Sequence, residues 1–352
     1  MQSKLFLTLE FPPDVGGAGS FASDVISASK GALFITPRES NGARVSFLLR
    51  PLLAVNNRYL NFVVYLIAIL FSDGKKIREV YCLNYSAFLI YQLFHRLLGL
   101  KGKKVVWVLH GEEDEYIVLR KSSRDLLLVS QGMIEFAKEC VHHKFISLDL
   151  KNKFERKVYV AKNGSLLRHG INTDFWKRSN PTCIGNKKVN LIYTGRIVRD
   201  KGVFDLLLVL QRLPEYFSLV IAGTGKDEDA LVESMIKLNL TNRVTLLGPR
   251  SKTELRSDLS KSDCFIFLSF RSGETFGLST YEAMSCNLPA IVLRQPYTDD
   301  FADKTWPYLI KSQEEISEAL LLKIIDSAKS NSPRNVVIEH YSLADMLDSL
   351  FI

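Results

Sequence analysis

What most restricts the fold of this chain is an alternation, sustained over most of its length, of short apolar β-rich stretches with longer segments of helical period. A short apolar run bounded by turn residues reads as a buried strand, and strands separated by helical segments read as βαβ units. That order builds a mainly parallel sheet flanked by helices, so the fold class is α/β. In the first half, strands are expected near Leu5–Leu9, Ala32–Thr36, Glu79–Leu83, Val105–Leu109 and Leu126–Val129. Between them, Tyr85–Leu100 carries apolar residues at 85, 88, 89, 93, 97 and 100, the stripe of a helix.

The second half repeats the alternation. Strands are expected at Val189–Tyr193, Leu219–Ala222, Val244–Leu247, Cys264–Leu268 and Ala290–Leu293, with helices over Val203–Leu213, Asp227–Leu238, Lys252–Ser260 and Leu278–Cys286. A chain of 352 residues has room for two domains of about 150 each. The joint falls near His169–Gly185, where Gly, Asn, Pro and polar residues cluster, and separates 1–172 from 173–335.

Composition removes several classes. Hydrophobic residues at 47% and charged residues at 24% exclude a disordered or fibrous chain. The longest apolar run, Phe62–Phe71, has ten residues, against roughly 18 needed to span a bilayer as a helix. The first residues offer no secretory apolar core, so a cytoplasmic protein is expected. Five cysteines, none in a C-x-x-C pair, suggest buried reduced thiols and neither a disulfide framework nor a zinc site. The net charge of +8 is uneven: residues 1–172 hold 24 Lys and Arg against 15 Asp and Glu, and 173–352 hold 22 against 23. The basic half suits an anionic partner, such as a phosphorylated acceptor or an acidic membrane surface, or serves solubility alone. A nucleic-acid-binding α/β protein is the alternative, but no known binding module or aromatic-basic platform is present. The stretch Arg58–Phe71 reads either as a peripheral membrane contact or as a buried core helix.

Four strand ends carry chemistry. After Cys264–Leu268 comes a polar loop with Glu274, then a helix starting near Gly277 and Leu278 that carries Glu282. A helix start offers free N–H groups and a partial positive charge to a phosphate, and two carboxylates accept hydrogen bonds from vicinal hydroxyls. After Val189–Tyr193 comes Gly195-Arg196, with Lys201 five residues on: a glycine for close backbone approach and two cations for a diphosphate. After the first strand, Gly16-Gly17-Ala-Gly19 opens a helix but lacks the spacing of a dinucleotide fingerprint. His110-Gly111 closes the strand Val105–Leu109 at the edge where ligands bind. Asp227-Glu-Asp229 has the look of a metal-binding D-x-D but starts a helix, where acidic residues are ordinary, so no metal or other cofactor is expected.

Together GETFGLSTYEAM, GRIVRDKG, FPPDVGGAG, VLHG and HGINTDFW resemble the retaining glycosyltransferases of the GT-B fold, family four. The resemblance implies two Rossmann-like domains facing a central cleft, a nucleotide-sugar donor (UDP- or GDP-sugar), and a glycan or lipid-diphosphate-linked acceptor, as in bacterial surface polysaccharide biosynthesis. It places Glu282 on the ribose hydroxyls, Glu274 on the transferred sugar, and the backbone of Phe276, Gly277 and Leu278 near sugar and phosphates. It puts Arg196 and Lys201 on the diphosphate, Gly17 facing it from the other domain, and His110 on the sugar. Gly248-Pro249-Arg250 would read the base through its backbone, and a final helix over 336–352 would cross back onto the first domain. His169-Gly-Ile-Asn172 matches the family's linker, with Asn163-Gly164 as a rival register. A GT-B sugar epimerase is the other alternative.

Overall fold

A computed structural model describes residues 4–10, 17–37, 40, 57–73, 75–98, 102–111, 127–178, 188–301 and 305–352. The chain divides into two compact units, Met1–Arg168 and His169–Ile352.

In the first unit, strands β1 (Lys4–Leu7), β2 (Leu33–Ile35), β3 (Glu79–Cys82), β4 (Lys104–Leu109), β5 (Val141–Phe145) and β6 (Gly164–Leu166) form one sheet in the order β2-β1-β3-β4-β5-β6. Every pairing is parallel, which requires a crossover between successive strands. Described helices are α1 (Gly17–Ala28), α2 (Arg58–Asp73), α3 (Tyr85–Leu98), α4 (Leu127–Cys140) and α5 (Leu148–Lys157). Helix α2 buries Phe62, Val64, Leu66, Ala68 and Ile69, so the Arg58–Phe71 stretch is a core helix of this unit. No helix among the described residues is long and apolar enough to cross a membrane.

The expected strand at Leu126–Val129 is a correction: from Leu127 the chain is helical. A four-residue apolar run fits either state, and here it opens a 14-residue helix. The strand of this βαβ unit comes next as Val-His-His-Lys-Phe, a sequence with no apolar alternation to announce it. It lies between β4 and β6 with His143 fully buried and bonded to the Tyr159 hydroxyl at 2.9 Å.

In the second unit, β7 (Val189–Thr194), β8 (Phe217–Ala222), β9 (Val244–Gly248), β10 (Cys264–Phe267), β11 (Ala290–Leu293) and β12 (Tyr308–Ile310) form a second parallel sheet, ordered β12-β11-β10-β7-β8-β9. Its helices are α6 (Val203–Arg212), α7 (Glu228–Lys237), α8 (Lys252–Ser260), α9 (Leu278–Ser285), α10 (Glu318–Ser330), α11 (Pro333–His340) and α12 (Leu343–Phe351). The five strands expected here are all present, and one apolar core runs between sheet and helices.

The single final helix expected over 336–352 is two helices, broken at Tyr341 and Ser342. The Ser342 hydroxyl accepts from Asp345 N–H at 3.1 Å and caps α12. The backbone at the break pairs with Ile171, which donates to Tyr341 O at 2.8 Å and accepts from Leu343 N–H at 3.1 Å. Of the cysteines, Cys82, Cys264 and Cys286 are buried thiols, Cys140 is exposed, and Cys183 lies outside the described residues.

Candidate functional site

The second sheet starts at β7, adds β8 and β9 on one side, and then adds β10 to β12 on the other. The strand order therefore reverses between β7 and β10, and the carboxyl edge at such a reversal is where open parallel sheets bind ligands. The loops leaving both strands carry the residues singled out in the sequence.

On the β7 side, Thr194 ends the strand and Gly195-Arg196 turn away, followed by a 3-10 turn over Arg199–Lys201 and then α6. The turn is fastened at several points. The buried Tyr193 hydroxyl donates to Arg196 O at 2.9 Å, and Ile197 N–H donates to Thr224 O at 2.9 Å. The Asp227 carboxylate accepts from Arg199 N–H at 2.9 Å. Asp227 thus leaves its own helix uncapped by its side chain and holds the cationic turn instead. Gly223, after β8, allows the close packing at this edge: a Cβ there would lie 1.9 Å from Gly195 O.

On the β10 side, Leu268 and Ser269 lead into the loop with Glu274. Gly202, in the left-handed region at φ +71°, lets the two loops meet, since a Cβ would fall 2.2 Å from Leu268 O. Phe270 N–H then donates to Asp200 O at 3.0 Å, and Arg271 Nε lies 4.0 Å from the Asp200 carboxylate.

Between these loops Lys201 Nζ and Glu274 Oε2 form an ion pair, with side chains 14% and 11% exposed. The same oxygen accepts from Ser269 Oγ at 3.2 Å, and Lys201 stands over the Phe267 ring at 5.3 Å. The pair joins residues 73 apart in sequence. Arg196 is exposed, and its guanidinium makes no ion pair among the described residues. Among the described residues, Lys201 is thus neutralised by a carboxylate at this strand edge and Arg196 is not.

Helix α9 starts directly after the Glu274 loop, with Gly277 as its N-cap at φ +74°. Leu278 and Ser279 N–H have no acceptor among the described residues, which leaves a donor pair at the positive end of the helix. The Phe276 ring points away from such a role: it is buried, stacked 4.4 Å from Tyr281 and 5.1 Å from His169. Glu282 is half-buried on α9, on the helix that the Glu274 loop feeds. Gly248 ends β9 and accepts from Gly223 N–H at 2.8 Å, with exposed Pro249 next. The Arg250 side chain is committed to α8, its Nε 3.1 Å from Asp258 and a terminal nitrogen 3.6 Å from Glu254.

His110, Gly17 and Gly16 belong to the first unit. His110 Nε2 donates to Leu83 O at 2.9 Å, and its ring meets Phe21 edge-on at 4.9 Å. Burial pushes its pKa down to about 4, partly offset by that carbonyl, so the ring is neutral at pH 7. Exposed Gly17 begins α1. Gly16 and the acidic cluster Glu112–Glu115 lie outside the described residues.

Sequence reasoning missed two members of the second site. Ser269 fixes the Glu274 oxygen, and its only signal is a hydroxyl one residue past an apolar strand. Asp227 was legible as a helix-start acid, but its partner is a backbone N–H 28 residues earlier.

Residues 174–339 match the family model for glycosyl transferases group 1. An uncharacterized glycosyltransferase of Methanocaldococcus jannaschii is 37% identical over 158 residues, 44% of this chain and 36% of that protein. The O-antigen chain mannosyltransferase RfbU of Salmonella typhimurium is 23% identical over 197 residues, 52% of this chain and 54% of the relative. The alignment thus spans about half or less of these curated relatives. The Anabaena Alr3699/HepE structure solved with UDP-glucose superposes with a TM-score of 0.73 at 15% identity, covering 99% of this chain and 98% of that one. With its two six-stranded parallel sheets, the chain has the GT-B fold, and the match to the glycosyl transferases group 1 model lies within its second unit.

Proposed function

We propose that this chain is a retaining, metal-independent glycosyltransferase that moves a sugar from a UDP- or GDP-sugar to a glycan or lipid-linked acceptor of a surface polysaccharide. The observation that carries the reading is the arrangement at the β7/β10 switch point: open Arg196, the buried Lys201–Glu274 pair, and the free N–H groups starting α9. The cations and helix start suit a diphosphate, and the carboxylate oxygen not held by Lys201 suits a sugar hydroxyl. The group 1 match over this unit supports the same reading, as do the UDP-glucose bound by the Anabaena protein and the O-antigen role in the Salmonella relative's name.

In this mechanism the acceptor hydroxyl attacks from the face the nucleoside diphosphate leaves, forming the new glycosidic bond as the old C–O bond to phosphate breaks. A departing phosphate oxygen takes the hydroxyl proton, so no side-chain base is needed. Negative charge grows on the diphosphate, and Arg196, Lys201 and the α9 N-terminus stabilise it. Before the donor arrives, Lys201 is held by Glu274. Donor binding therefore exchanges one carboxylate for phosphate at the lysine while Glu274 engages the sugar.

Incubation with a panel of UDP- and GDP-sugars, with and without glycan acceptors, should release free nucleotide with one donor and transfer its sugar with the anomeric configuration kept. Absence of nucleotide release across the panel, or an inverted product, would remove the proposal.

A further inference from the structure

Arg334 belongs to none of the motifs above. It stands in the first turn of α11 and is half-buried. Its guanidinium meets no carboxylate among the described residues; its hydrogen bonds there go to carbonyls and one hydroxyl. One terminal nitrogen donates to Trp176 O at 2.7 Å and to Ser285 O, with Ser285 Oγ at 3.3 Å. The other donates to Thr173 O at 2.8 Å. A planar fork with several donors holds three carbonyls in one fixed geometry, which an ammonium on a flexible stem does not.

The grip falls on the far end of the helix that opens the site. Ser285 is the last residue of α9 and fully buried, and its hydroxyl donates to Trp176 O at 2.6 Å. Ser332, just before α11, donates from its hydroxyl to Asn287 Oδ1 at 2.7 Å, a second tie between the start of α11 and the end of α9. The two helices pack on each other. Glu282 O, Ala283 O and Met284 O accept from the N–H groups of Cys286, Leu288 and Asn287 at 3.2, 3.1 and 2.8 Å, and Ser285 O accepts from the guanidinium. A cation at this position also opposes the negative end of the helix. No side chain caps the start of α9, and its eight residues put that start only about 10 Å from Ser285 along the helix axis.

We propose that Arg334 is a positioning residue for α9. By holding Ser285 O together with the Thr173 and Trp176 carbonyls, it sets where the helix stands, and with it the Leu278 and Ser279 N–H groups and the Glu282 side chain. The use of those groups on a nucleotide diphosphate rests on the glycosyltransferase reading; the grip on α9 does not.

Arg243 is a matched comparison within the same unit. It is buried and likewise holds three carbonyls, Phe217 O and Leu213 O at 3.0 Å and Pro214 O at 2.8 Å. Those carbonyls lie at the start of β8, and Arg243 itself leads into β9, so its grip is on the amino edge of the sheet, opposite the site.

Arg334→Met keeps the stem and removes the fork. In the unliganded protein, amide hydrogen exchange over 282–286 should be at least about tenfold faster than in wild type when scaled to α7, whereas Arg243→Met should leave it within about twofold. Calorimetric titration with UDP and with GDP should find binding at least about tenfold weaker in Arg334→Met and within about twofold of wild type in Arg243→Met, even where urea denaturation finds the two equally destabilised. Wild-type exchange over 282–286 in Arg334→Met, or nucleotide binding no weaker than in Arg243→Met, would overturn the proposal and leave the transfer reading untouched. Faster exchange in Arg334→Met, with neither nucleotide bound by the wild type, would keep the grip on α9 and discard the transfer reading. Should Arg334→Met fail to fold, Arg334→Lys decides the same point, because it keeps the cation and loses the fork: binding at least about threefold weaker upholds the proposal and wild-type binding overturns it.

Discussion

The two units build the same kind of parallel sheet and furnish its carboxyl edge differently. In the first, the strand order reverses between β1 and β3, and the hydrogen bonds described at the ends of these two strands join neutral groups. Thr8 Oγ1 donates to Glu10 O at 2.7 Å, Asn84 Nδ2 reaches Thr8 Oγ1 at 3.5 Å, and Asn84 Oδ1 accepts from Ala87 N–H at 2.9 Å, closing the start of α3. In the second, the reversal between β7 and β10 holds a buried ion pair, an open arginine and a helix start with free donors. The contrast runs against bulk charge, because the excess of basic residues lies in residues 1–172. Both units have a reversal of strand order, so what separates them is the residues that each pair of strand ends carries, not the switch point itself and not which half of the chain is basic.

The largest effect that would test this contrast lies at Lys201. Lys201→Ala should lower turnover about 100- to 1000-fold, the range for losing one donor to a developing anion. It also leaves Glu274 buried without its cation, and breaking such a pair costs about 3–5 kcal/mol. Arg196→Ala separates the two consequences. Its guanidinium makes no ion pair among the described residues, so turnover should fall at least about tenfold while the unfolding free energy stays within about 0.5 kcal/mol of wild type. Steady-state rates and urea titrations on both variants decide it. Equal stability losses at 196 and 201 would erase the distinction between open and paired cation.

A second test is acid stability, which should fail in the first unit first. His143 and His110 are both pushed down to about 4 by burial, from an ordinary value near 6.5. Below pH 6.5 the unfolded chain takes up protons that the native imidazoles refuse, so the stability present above 6.5 is lost as pH falls toward 4. For fully buried His143 this amounts to about 3 kcal/mol at the acid end. Amide hydrogen exchange between pH 7 and 4.5 should show protection lost in first-unit strands before second-unit strands. Simultaneous loss in both would show that these histidines do not set the acid limit.

How far the sequence reached follows the same division. In the second unit, apolar strands alternate cleanly with helices, and each expected strand is found. In the first, β5 is spelled by two histidines and a lysine, whose burial depends on partners such as Tyr159 that no local pattern reveals. Glu274 and Lys201 were visible as residues at strand ends. Their pairing was not, because it depends on Gly202 letting two loops touch across 73 positions. The same holds for Arg250, whose side chain lies against the α8 acids Asp258 and Glu254, a pairing no local pattern reveals.

The smallest expected effect probes the neutral edge of the first unit. Asn84→Ala removes the acceptor for Ala87 N–H and the neighbour of Thr8, both buried. Loss of such a cap costs about 1 kcal/mol, which for a unit of this size is a fall in thermal midpoint of about 2–4 °C. Because the groups at this edge satisfy one another, UDP or GDP affinity and turnover should stay within about twofold of wild type. Differential scanning calorimetry and the donor assay together make the test. A tenfold loss of turnover with that small change in midpoint would mean that the first switch point serves the chemistry too, so that neutral hydrogen bonding, as well as charge, marks a working strand edge in this molecule.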